Sequence, residues 1–160
     1  MNDLLGLIVL ALGIILSLSA YLLTLDTFFG DWVARTQQVI TTRPGRAFVV
    51  GLVNFLFFGV LALLFLSLQE STGSDLAVLP GLLILAILVA GLSFGLAAFV
   101  RLLGERLAPQ QGPLPRALVS GGVLVLSTAL PIAGWFLLLP YVVFTGIGAF
   151  VLVVLARRNP

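Results

Sequence analysis

The chain contains no cysteine, no histidine and no lysine in its 160 residues. Without cysteine there is no disulfide framework and no thiol chemistry, and the redox compartment is not legible. Without histidine the commonest metal ligands and general bases are also missing. Charge of either sign is scarce, at 9% of residues, where soluble domains carry roughly 25%. This excludes an aqueous domain. The isoelectric point near 9.9 reflects a net charge of only +2, and no basic cluster is long enough to serve a nucleic acid. The exclusive use of arginine points to a GC-rich genome and says nothing of mechanism.

What is abundant is apolar. Hydrophobic residues make up 61% of the chain and the mean hydropathy is +1.25. Several runs reach the ~18 apolar residues that carry a helix across a bilayer. They do not alternate as barrel strands do. The expected class is therefore all-α: a polytopic helical bundle of about five membrane helices forming one membrane domain, 1–160. A first helix occupies 1–25; Asp3 stands where a signal peptide would carry positive charge, so this segment is read as retained. Spans follow at Ala47 to about Leu68 and about Leu76 to Leu103, joined by "QESTGSD", with Ser74 as candidate N-cap.

Ala117 to Ala156 is uncharged over about forty residues, roughly 60 Å as one helix and twice the hydrocarbon thickness. It must fold back, and "PIAGW" (Pro131 to Trp135) supplies the breakers. Two crossings or a re-entrant hairpin would do this, since the first arm, Ala117 to Leu130, is only about 21 Å long. Either way all eight arginines (35, 43, 46, 101, 106, 116, 157 and 158) lie on one side. The positive-inside rule then expects the N-terminus outside and the C-terminus in the cytoplasm, in the cytoplasmic membrane of a bacterium.

The chain also resembles itself. "RAFVVG" (Arg46–Gly51) is echoed by "RALVSG" (Arg116–Gly121). Leu79–Pro80, Gly95, Ala98–Val100 and Arg106 recur as Leu130–Pro131, Gly146, Ala149–Val151 and Arg157. The expectation is a parallel duplication: a helical hairpin at 46–106 and a shorter one at 116–158.

Between the first two spans, 26–45 reads as an amphipathic helix in the cytoplasmic interface. Phe29, Trp32, Val33, Thr36 and Ile40 form its apolar stripe, Asp31 and Arg35 make an i,i+4 pair, Pro44 ends it and Gly45 allows the turn. Trp32, Arg35, Arg43 and Arg46 are the candidate contacts for anionic lipid or an acidic partner, with topological anchoring as the plainer reading.

Within the spans polar residues are mild, and no ionisable group sits mid-membrane to couple transport. Asn54 is expected to bond to a neighbouring helix. Gly91-x-x-x-Gly95, Ala86 to Ala90 and Thr145 to Ala149 offer small-residue faces for helix packing. No catalytic residues, cofactor or metal site is expected, and Arg101 and Glu105 read as an interfacial pair. The stretches "RPGRAFVVGL", "LGERL", "PRALVSGG" and "LPIAGWFLLL" resemble a bacterial multi-pass membrane family whose segment often accompanies bactofilin-like polymer-forming domains. That resemblance, over about Trp32 to Arg158, implies a membrane anchor or scaffold; these 160 residues themselves carry no β-rich segment of that kind. The expected role is a non-catalytic scaffold, anchor or accessory subunit of a membrane assembly. The alternative is a small oligomeric channel or passive transporter, which would need Asn54 and the Ser127 and Thr128 hydroxyls.

Overall fold

A computed structural model describes residues 2–72, 78–128 and 134–156. Among them there is no strand. Five helices follow in order: α1 (Asn2–Thr42), α2 (Pro44–Thr72), α3 (Val78–Leu107), α4 (Pro113–Thr128) and α5 (Leu139–Ala156), the last entered through a π-helical turn at Gly134–Leu138. Four helical stretches are long and apolar enough to cross a membrane, and α4 is shorter. The chain is thus an all-α, multi-pass membrane protein. Ser74, Pro131 and Arg157–Arg158 lie outside the described residues, as do the side chains of Asp3 and Thr128.

The first span and the expected interfacial segment are one helix of 41 residues, bent at Phe29 (φ −126°, ψ 33°). The bend has an identifiable cause. Arg101 of α3 inserts its guanidinium, donating from Nη1 to Asp26 Oδ1 at 3.0 Å and reaching the Gly30 carbonyl at 3.5 Å. A side chain intruding on the helical ladder is a standard source of kinks. Beyond the bend, the stripe read from the sequence faces protein rather than lipid: Val33 and Thr36 are fully buried and Ile40 nearly so.

Pro44 opens α2 instead of merely ending α1, and Gly45 lies in the first turn of α2. Proline suits that position, because its missing N–H would have had no helical partner. The backbone stays bonded on both sides of Arg43, whose N–H donates to Val39 and whose carbonyl accepts from Ala47.

The bundle is assembled around α5. Gly146 and Gly148 are two residues apart, hence about 200° around the helix, and so meet different neighbours. A Cβ on Gly148 would stand 2.5 Å from Gly51 N in α2, and one on Gly146 would stand 2.9 Å from Gly95 Cα in α3. Two helices therefore lean on α5 backbone to backbone. In lipid, where no hydrophobic force pulls apolar helices together, such close approach is the main source of association. The same device recurs around α4: Ser19 Oγ of α1 occupies the space beside Gly121 and donates to the Ala117 carbonyl at 3.2 Å. Ser120 Oγ lies where a Cβ on Gly104 would fall, 3.0 Å away.

Aromatic rings fill the wider gaps. Phe94 and Phe150 stack at 5.0 Å with planes 11° apart, and Phe48 and Phe55 both pack on Phe144. The far half of α1 has no such neighbours. Ile8, Val9, Leu10, Leu12, Ile14 and Leu16 are all exposed, while Ala11, Ile15 and Leu18, at helical spacing, are partly covered.

Candidate functional site

The convergence of the second half of α1, the start of α2, the end of α3, the start of α4 and the end of α5 puts the six described arginines at one end of the bundle. Gln37 Nε2, donating to Glu105 Oε2 at 2.7 Å, ties α1 to α3 there. Two grooves open between these helix ends, and their electrostatics differ.

The first, of about 180 Å³, lies between α1, α3 and α4 and is lined by Asp26, Arg101, Glu105 and Arg116. Its charges are matched. Arg101 pairs with Asp26 at 3.0 Å and with Glu105, one turn on, at 3.3 Å. The second pair was legible from spacing; the first joins residues 75 apart and had no local signal. Arg116 donates from Nε to the Ala108 carbonyl at 3.0 Å and from Nη2 to the Pro109 carbonyl. It thereby staples the α3–α4 turn, in which the Ala108 carbonyl also accepts from the Gln111 N–H.

The second groove, of about 800 Å³, holds Arg43 and Arg46 against Val39 of α1 and Leu152, Leu155 and Ala156 of α5. Arg35 lines an adjoining hollow of about 230 Å³ that shares Gln38, Val39, Leu152 and Ala156. The three arginines proposed from sequence are thus brought to one continuous surface. All three are exposed, and among the described residues none of them makes an ion pair or side-chain hydrogen bond. The i,i+4 pair expected between Asp31 and Arg35 does not form; both side chains point to solvent, where such a pair would contribute only tenths of a kcal/mol. No acidic residue lines either hollow.

Trp32, expected to contact lipid or a partner, packs within the chain, its ring tilted 6.4 Å from Phe94 and 6.0 Å from Phe150. It is half-buried, and it locks the bent part of α1 onto α3 and α5. Asn54 also departs from expectation. Its amide donates to Val50 O of its own helix at 2.8 Å and makes no bond to a neighbouring helix among the described residues. Ser93 does bridge helices, accepting from Tyr21 Oη at 3.0 Å while donating to Val89 O.

Gly95 and Ala149 sit in the packed interior as small-residue spacing suggests, and Gly91 lies under the Phe150 ring. Gly51 and Gly146, singled out from sequence only through the internal repeat, and Gly148 make the closest backbone contacts of the bundle. The Ala47-x-x-x-Gly51 spacing and the paired glycines of "GIGA" were the available signals. Thr145 is fully buried with its hydroxyl unpartnered. Among the described residues no three His, Cys, Asp or Glu side chains gather as a metal site would require. Comparison with protein-family models, curated proteins and solved structures gives no match.

Proposed function

We propose that this is a non-catalytic protein of the bacterial cytoplasmic membrane that serves as scaffold, anchor or accessory subunit of a larger membrane assembly. The arginine end faces the cytoplasm, as the positive-inside rule favours. The observation that carries the reading is the far half of α1. There Gly13, Ser17, Ala20 and Thr24 form an exposed face opposite the buried Ser19 and Leu22. Small residues turned away from a chain's own bundle suit a second helix. The resemblance to segments found with bactofilin-like domains makes a polymer-forming protein the partner to look for first.

A conduit through the single chain is disfavoured by the packing at α5, where helix backbones touch. The test uses the chain's lack of cysteine. A photo-crosslinker attached at Ser17→Cys in native membranes is expected to give one discrete protein adduct, and gentle extraction a stoichiometric assembly that Gly13→Leu dissolves. A protein that crosslinks only to lipid and emerges alone as a homo-oligomer would sink the proposal, and flux in liposomes would then be measured.

A further inference from the structure

The geometry points to a specific site for one anionic phospholipid in the groove between the α1–α2 joint and the end of α5, its headgroup phosphate held by Arg43 and Arg46. This is independent of the scaffold role proposed above. The argument rests on a contrast within the molecule. Both grooves at the arginine end have the same construction: a proline-led helix start (Pro44 or Pro113) lies beside the last turns of another helix, with an arginine two or three residues into the new helix.

In the first groove the cations are consumed. Asp26 and Glu105 face Arg101, and the Ala108 and Pro109 carbonyls take Arg116. In the second groove no described residue answers them. Where α3 presents Arg101 and Glu105, α5 presents Leu152, Leu155 and Ala156, and among the described residues the Arg43 and Arg46 side chains have no hydrogen-bond or ion-pair partner. Arg35, in the adjoining hollow, adds a third unanswered cation.

An apolar wall beside unpaired guanidinium groups matches only a ligand with both characters. A phosphate diester fits the guanidinium fork. An acyl chain fits the wall formed by Val39, Leu152 and Leu155. A free phosphate ion would satisfy the arginines and leave that wall unused. A zwitterionic lipid would bring its own cation into an acid-free pocket. The occupant is therefore an anionic diacyl lipid. Generic attraction of a basic surface to anionic membranes is worth about 1 kcal/mol per arginine and is spread over the leaflet; a site differs in being saturable.

The test is native mass spectrometry of the full chain in neutral detergent, titrated with phosphatidylglycerol or with phosphatidylcholine. One phosphatidylglycerol per chain is expected to saturate well before further adducts appear, with phosphatidylcholine at least tenfold weaker. The pair Arg43→Gln/Arg46→Gln is expected to weaken phosphatidylglycerol about a hundredfold, at about tenfold per charge-assisted contact. Arg106→Gln, outside both grooves, should change it less than twofold. Leu155→Glu leaves both arginines in place but supplies the missing acid, and should reproduce most of the loss. Graded adducts without a break at one, or equal binding by the double variant, would overturn the site. Displacement by millimolar inorganic phosphate would overturn the lipid as occupant and leave an ion site. Thermal midpoints of the three variants within a few degrees of the parent exclude unfolding as the cause.

Discussion

Gly148 offers the sharpest test of how the bundle is held. A methyl group there would lie 2.5 Å from Gly51 N and closer still to the Ala47 carbonyl, and ordinary contact begins at 3.4 Å. Both obstacles are backbone, so no side chain can swing aside. α2 and α5 must part by about 1 Å, loosening the Phe48, Phe55 and Phe144 contacts along the same seam. Overpacking of this kind costs about 1–3 kcal/mol, and the absence of a flexible neighbour places it at the upper end. Replacing a mid-helix glycine returns about 0.5–1 kcal/mol of conformational entropy. The expected net loss for Gly148→Ala is therefore about 2 kcal/mol. Gly59→Ala is the control, because a Cβ at Gly59 meets nothing within 4 Å; it should be neutral or slightly stabilising. The assay is equilibrium unfolding in mixed micelles by SDS titration, followed through Trp32 and Trp135 fluorescence. Equal midpoints for the two variants would refute the claim that α2 and α5 are held by glycine contact.

Asn54→Leu should leave stability within about 0.5 kcal/mol of the parent or raise it, since the amide serves only its own helix and its removal spares a polar group from lipid; thermal unfolding in detergent checks this. A double-mutant cycle on Asp26→Asn and Arg101→Gln should give a coupling of about 0.5–1 kcal/mol that fades in high salt, because both side chains are about one-third exposed and screened accordingly. Ser19→Ala should cost about 1 kcal/mol through the lost bond to the Ala117 carbonyl, whereas Ser19→Leu should cost more by colliding with Gly121; the order of their unfolding midpoints decides. Labelling a lone cysteine at Gln38 with an impermeant maleimide should succeed only in inverted vesicles, and labelling in intact cells would reverse the orientation.

Much of the architecture could be read without coordinates because it follows from length and apolarity. Helices of about 20 apolar residues, the short arm at α4 and the gathering of arginines at one end need no tertiary information. What escaped reading depends on register between helices. Nothing near Asp26 announces Arg101, and the bend at Phe29 arises from that distant guanidinium. The stripe Val33, Thr36 and Ile40 was correctly periodic, but periodicity does not say whether lipid or protein covers a face. Asn54 shows the same limit: an amide in an apolar helix needs a partner, and its own backbone, four residues back, is as good as a neighbour. The arginine groove was half legible. Arg35, Arg43 and Arg46 stood out as charge, while the wall from Leu152 to Ala156 that turns them into a groove lies over a hundred residues downstream.

The two-faced α5 also governs how the protein can be made. α2 and α3 each rest on a helix synthesised after both, so neither can make its glycine contact with α5 while it is being inserted. Until α5 arrives, Gly51 and Gly95 lack the backbones they pack on, and α1 and α3 are joined by ties such as Arg101 with Asp26 and Gln37 with Glu105. Insertion and assembly are thus distinct events for this chain, and a translation arrest before Gly146 should leave a membrane-integrated but incompletely assembled protein, open to the proteases that survey orphan helices.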